Sequence, residues 1–175
     1  MELKECSDLA EKIRTEYNPQ NLSPFPYQNI EQDKKDLRIL FVELPEGVSG
    51  AITYDKESLE FFILINKNKP STRQNFTIAH ELGHYFLHQD IIKTDETIID
   101  GDGTLEGRAL FRLDDAKSTL LEIQANNFAA SLIMPKSEVI RAWEELKAIE
   151  ECAKVFSVSA LAMTIRLTKL GLINE

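Results

Sequence analysis

The sequence predicts an α+β fold: a short sheet of three strands, or slightly more, beside a helix carrying His80-Glu81-Leu82-Gly83-His84, followed by a helical C-terminal region. Three observations lead there. Residues 38–66 read as strands split by turn-forming residues, residues 71–88 repeat apolar side chains every fourth position, and residues 120–170 carry helix-period stripes with defined stops. At 175 residues with 43% hydrophobic content the chain can bury one core of its own. It reads as one domain in three parts: helix and sheet over 1–68, a pair of helices over 70–135 interrupted by an acidic insert at 89–115, and a helical module over 137–175.

The first helix places Leu3, Cys6, Ala10, Ile13 and Tyr17 on one side, and its charged start is unlike a signal peptide. Cys6 and Cys152 each sit in a helical apolar pattern, which favours free buried thiols over a disulfide. Asn18 to Pro26 carries three prolines and reads as a loop. Strands follow at Arg38–Leu44, Ser49–Tyr54 and Leu59–Asn66, with turns at Glu46-Gly47 and Asp55-Lys56-Glu57-Ser58. The continuous apolar run Phe61–Ile65 suggests a strand covered on both faces, and the alternation in Ser49–Tyr54 suggests an edge strand open to an extended peptide.

Ser71 can cap the next helix with Gln74 reaching back, as in a capping box, and Ile78, Leu82 and Phe86 form its apolar stripe. On a helix, His80 and His84 lie about 6 Å apart on one face, so both imidazoles can converge on one zinc ion; on a strand they would be roughly 13 Å apart. Glu81 then stands beside the metal, placed to act as general base on its water. The chain has three histidines, and the third, His88, lies about 12 Å along the axis from His80, too far to share that ion. No Gly follows His84 to turn the chain back, so His88 reads as a structural or supporting residue.

A third ligand is sought in Leu120–Pro135, where Leu121, Gln124/Ala125, Phe128 and Leu132 trace a stripe that Asp114 or Asp115 can cap and Pro135 ends. Glu122, Ala125, Asn126 and Ala129 share a face. Alanines opposite Gly83 would let the two helices approach, a reason for a glycine that otherwise costs about 1 kcal/mol in a helix interior. Asn126 would then hydrogen-bond a ligand imidazole. Spacing alone leaves Glu122 open between a metal ligand and a solvated charge.

In the acidic insert, Asp100-Gly101-Asp102-Gly103 fails the calcium-loop pattern and reads as a hairpin turn between 97–99 and 104–105, in a flap near the cleft. Toward the C-terminus, Ile149, Cys152, Ala153 and Phe156 form a stripe, Ser159 caps a last helix, and Gly171 with Leu172 forms a Schellman stop. "VFSVSALAMTIRL" suggests a helix-turn-helix, yet its second helix offers only Arg166, Lys169 and a few hydroxyls among apolar residues, so it reads as a packing module.

Three blocks in order, "RQNFTIAHELGHYFLH", "LEIQANNFAASLIMP" and "AKVFSVSALAMTIRLTKLGLI", make the chain from roughly Asn66 to Ile173 resemble the ImmA/IrrE family of zinc metallopeptidase-like proteins. That resemblance implies a small zincin-like domain of the gluzincin kind, with zinc held by His80, His84 and Glu122 and with Glu81 as catalytic base. Gln124 departs from the family, which often has a second acid there. Family members are associated with cutting a partner helix-turn-helix repressor, so the resemblance implies a zinc-dependent endopeptidase with that class of protein substrate. The alternative is a metal-binding regulatory or toxin-antitoxin partner that acts by association; the carboxylate of Glu81, which a purely structural metal site would not use, argues for hydrolysis.

A net charge of −9 and a pI near 4.9 oppose direct nucleic-acid binding. No apolar run reaches the length of a membrane span, and the expected compartment is the cytoplasm. For the group that stabilises the developing oxyanion, Arg73, His88 and Arg166 are the candidates.

Overall fold

Leu37–Val42 (β1), Val48–Asp55 (β2), Glu60–Asn66 (β3) and Ile98–Gly101 (β4) form one sheet in the order β1-β3-β2-β4. They are seen in a computed structural model that describes residues 1–94, 98–101 and 115–174. β1 runs parallel to β3, while β2 is antiparallel to both β3 and β4. The fold is therefore the α+β arrangement the sequence predicts. Of the hairpin turn expected at 100–103, Asp100 and Gly101 instead continue β4, paired with Gly50 and Val48 of β2; the rest of that turn, its second strand and most of the flap lie outside the described residues.

Two strand expectations need correction. Ser49–Tyr54 is not an edge, because β4 pairs with β2 through Ile52↔Ile98 and Ala51↔Ile99; among the described residues β1 and β4 are the outer strands. β3 is buried on one face through Phe61, Ile63 and Ile65, whereas Phe62 and Leu64 on the other face are only half-buried. The Asp55 turn forms as expected, with its carboxylate accepting from Glu57 N at 3.0 Å and Ser58 Oγ at 2.8 Å. Asn66 closes β3 by donating to Val48 O at 2.8 Å, which ties down the loop entering β2.

The helices are α1 (Leu3–Tyr17), α2 (Gln28–Asp33), α3 (Ser71–Leu87), α4 (Gln89–Ile92), α5 (Asp115–Ile133), α6 (Lys136–Leu146), α7 (Ile149–Val155) and α8 (Ala160–Lys169). In α1, Cys6, Ala10, Ile13 and Tyr17 are buried, but Leu3 is exposed and Arg14 is buried in its place, donating to Leu132 O at 2.8 Å. Both cysteines are free and buried. α3 starts one residue earlier than a Ser71 cap would allow. Pro70 is the N-cap, and Gln74 donates instead to the carbonyls of Asn66 and Lys67 at the end of β3.

The C-terminal signals hold: Ser159 Oγ accepts from Ala162 N at 3.1 Å, and Leu172 N bonds Leu167 O while Gly171, at φ +69°, bonds Thr168 O. Buried side chains from α1, the sheet, α3, α5 and α6–α8 form one contiguous hydrophobic cluster. Against it, α3 lies between the sheet on one side and α5 on the other. Among the described residues no helix is long and apolar enough to cross a membrane.

Candidate metal centre

Helix periodicity puts His80 and His84 on one face of α3, and their Nε2 atoms lie 3.1 Å apart. Glu122, on α5, completes a triangle: Oε2 is 3.2 Å from His80 Nε2 and Oε1 is 3.3 Å from His84 Nε2. The crossing that makes this possible is Gly83 against Ala125. A methyl group at 83 would stand 3.1 Å from both the Cα and the carbonyl oxygen of Ala125 and 3.3 Å from the Phe128 ring. Glycine here serves close backbone approach, at the usual cost in helix propensity.

The outer nitrogens of the two imidazoles are held by hydrogen bonds that fix their tautomers. Asn126 Oδ1, an acceptor, lies 3.1 Å from His80 Nδ1, so that nitrogen carries the proton. His84 Nδ1 is 2.9 Å from His88 Nδ1, and His88 Nε2 is 2.9 Å from Gln124 Oε1. Gln124 Nε2 in turn donates to Met1 O at 2.6 Å. Working back from that carbonyl, Gln124 accepts from His88 Nε2–H, His88 Nδ1 accepts from His84 Nδ1–H, and His84 Nε2 is left with its lone pair toward Glu122.

Two imidazole lone pairs and a carboxylate thus converge on one point. A tetrahedral ion with bonds of about 2.0–2.1 Å separates its ligand atoms by about 3.3 Å, close to the spacing found. The three donor atoms fit such an ion, and His80, His84 and Glu122 form a set able to hold one.

Glu81 is fully buried on the sheet side of α3, where β2 covers it. A Cβ at Gly50 of β2 would collide with Thr77 Cγ2 and stand 3.3 Å from Glu81 Oε1. Gly50 is a site residue that the sequence reading passed over, although a glycine inside a strand is itself a signal of close approach. Of the three candidates for the oxyanion group, none stands among the converging ligands. His88 has both nitrogens engaged behind His84, Arg166 Nε donates to Met134 O at 2.9 Å, and Arg73 Nε donates to Ser49 Oγ at 2.9 Å.

The sequence profile described as "IrrE N-terminal-like domain" matches residues 32–168. The chain belongs to this IrrE N-terminal-like family. Among relatives, it is 29% identical over 128 residues to "Metallopeptidase ImmA" of Bacillus subtilis, spanning 70% of this chain and 64% of that one. It is 32% identical over 111 residues to "Radiation response metalloprotease IrrE" of Deinococcus radiodurans, spanning 61% and 30%. The chain thus covers under two thirds of either relative's length. A solved structure named "Mycobacterium tuberculosis transcriptional regulator" superposes with a TM-score of 0.62 at 18% identity, covering 94% of this chain and 46% of that one, a likeness of fold. The IrrE N-terminal-like match includes the His80-Glu81-x-x-His84 helix, Glu122 and most of α8.

Burial pushes the His84 imidazole from its ordinary 6.5 down to about 4, outweighing the pull of Glu122. Burial alone would raise the Glu122 carboxyl, but contact with His80 and His84 holds it well below its ordinary range. Both shifts act in one direction. A histidine whose folded pKa is depressed takes up its proton more readily when unfolded, so falling pH favours unfolding. A depressed carboxyl contributes stability above its unfolded value and loses it as pH falls. The metal-free protein is therefore expected to lose stability steadily as pH falls from 6.5 toward about 4. Urea unfolding with a chelator present checks this, and a midpoint that stays constant through that window would contradict it.

Proposed function

We propose that this chain is a zinc-dependent endopeptidase that hydrolyses a peptide bond in a protein partner. A helix-turn-helix repressor is the partner class that the family resemblance implies. The observation that carries the reading is the convergence of His80 Nε2, His84 Nε2 and the Glu122 carboxylate, next in sequence to a buried Glu81 that lies outside the ligand set. The relatives' names, metallopeptidase and metalloprotease, support the same reaction class.

When bound, a zinc ion supplies Lewis acidity, polarising the scissile carbonyl and bringing the pKa of a water near 7. Glu81 accepts that water's proton as its oxygen adds to the carbonyl carbon. It returns the proton to the leaving nitrogen as the C–N bond breaks, so one water yields one carboxylic acid and one amine, and the acid's remaining proton then passes to the amine to give a carboxylate and an ammonium. Asn126 and His88 hold the two imidazoles in the tautomer that offers Nε2, and Gln124 orients His88.

His88→Ala is accordingly expected to weaken Zn2+ binding about 10–100-fold, with Gln124→Leu acting in the same direction. Chelator competition measures this; unchanged affinity in His88→Ala would remove His88 from its supporting role. The activity itself is tested by incubating the protein with a repressor encoded beside its gene and identifying fragments by mass spectrometry. Fragments that vanish with Glu81→Gln are expected. A stable complex without fragments would favour action by association.

A further inference from the structure

We propose that the groove between α3, α5 and α8 is the substrate side-chain pocket of this metal centre, and that it selects an extended peptide segment carrying a bulky apolar side chain next to an acidic one. This rests on the peptidase reading above and adds to it the class of sequence recognised.

The groove reaches the metal centre through Asn126; His80, His84 and Glu122 themselves do not line it. Asn126, whose Oδ1 lies 3.1 Å from His80 Nδ1, is one of its lining residues, beside Phe76 of α3. Its volume of about 350 Å3 is at the small end for ligand sites, suited to one or two large apolar side chains rather than to a whole helix. The far wall is α8. That helix turns Met163 and Leu167 into the core, fully buried, and leaves Leu161 69% and Ile165 48% exposed over the groove. Two large aliphatic side chains one turn apart, exposed over the groove that Asn126 lines, form an apolar contact surface.

Charge selects the neighbour of the apolar residue. The protein carries −9 overall, yet the ionisable side chains lining this groove are Arg73, Arg166 and Lys169, all basic. Arg166 is buried under the wall and held by Met134 O, while Lys169 is exposed at the rim. A basic rim on an acidic protein favours an acidic group and disfavours a basic one. Duplex DNA would also meet the basic residues, but Leu161 and Ile165 occupy the face that would have to approach phosphates and base edges.

The test uses Zn2+-loaded Glu81→Gln protein, which should hold peptides without cutting them, and fluorescent peptides that differ only in a central Leu-Glu, Leu-Lys or Ser-Glu pair. Fluorescence polarisation is expected to show the Leu-Glu peptide binding about tenfold more tightly than the other two. Adding Ile165→Asp should remove the preference for Leu, and adding Lys169→Glu should invert the preference between Glu and Lys. Both positions are exposed, and circular dichroism verifies that each variant is folded. Equal binding of the three peptides, binding unaffected by either substitution, no detectable peptide binding, or preferential salt-dependent binding of duplex DNA would each overturn the proposal. Wild-type cleavage assays on the same peptides separate the two claims. The expected preference without cleavage would count against the peptidase reading alone, and cleavage indifferent to Ile165 and Lys169 would count against the groove alone.

Discussion

Glu81→Gln is expected to lower the rate of peptide-bond hydrolysis by about 10²–10⁴-fold, the usual contribution of a positioned general base, while leaving Zn2+ affinity and fold intact. The amide matches the carboxylate in size, so the space beneath β2 at Gly50 stays filled as before. The converging Nε2 atoms of His80 and His84 and the Glu122 carboxylate are unchanged. What is lost is the ability to accept a proton from water, so the loss should appear in kcat with little change in KM. Steady-state kinetics alongside zinc titration give the result. A variant that cleaves at the wild-type rate would show that Glu81 is not the base, and one that loses its metal would show that Glu81 serves the site's structure.

Gly83→Val is expected to destabilise the protein by about 1–3 kcal/mol and to weaken Zn2+ binding as well. The first methyl carbon already stands 3.1 Å from Ala125 Cα and carbonyl oxygen, and both belong to helix backbone that cannot swing aside as a side chain can. Relief therefore requires α3 and α5 to separate. Because His80 and His84 sit on α3 and Glu122 on α5, separation stretches the 3.2 and 3.3 Å contacts of Glu122 with the imidazoles. Stability and metal affinity should fall together, although valine is the better helix former. Chemical denaturation and chelator competition on one preparation measure both, and a variant that binds zinc as tightly as the wild type would show that the crossing does not set the ligand spacing.

Much of this arrangement was legible in the sequence because it depends on local periodicity. Ile78 and Leu82, with the half-buried Phe86, mark one buried face of α3, and Leu121, Ala125, Phe128 and Leu132 mark that of α5, while the second buried face of α3, through Thr77 and Glu81, carries no apolar signal. Periodicity and a glycine opposite alanines put the two helices face to face, but they left Glu122 open; only the family resemblance singled it out as the residue that meets His80 and His84. What periodicity does not encode is who pairs with whom across long separations. β4 follows β2 by more than forty residues, so its occupation of the β2 edge could not be inferred from the alternation of Ser49–Tyr54. Nor could the path from His84 through His88 and Gln124 to Met1, which joins the end of α3, α5 and the start of the chain. The burial of Arg14 on α1 escapes the apolar pattern for a related reason. A guanidinium is assigned to solvent by default, and only the tertiary packing supplies the Leu132 carbonyl that permits its burial. Gly50 was visible as a glycine in a strand, but its neighbour Glu81 was not.

The most direct test of the central claim is anomalous diffraction at the zinc edge from crystals grown with Zn2+. The account predicts a single strong peak about 2.0–2.1 Å from His80 Nε2, His84 Nε2 and a Glu122 oxygen, with an open fourth position and Glu81 alongside but not bound. A peak coordinated by Glu81 in place of Glu122, a closed four-residue shell, or no peak at these residues would contradict it.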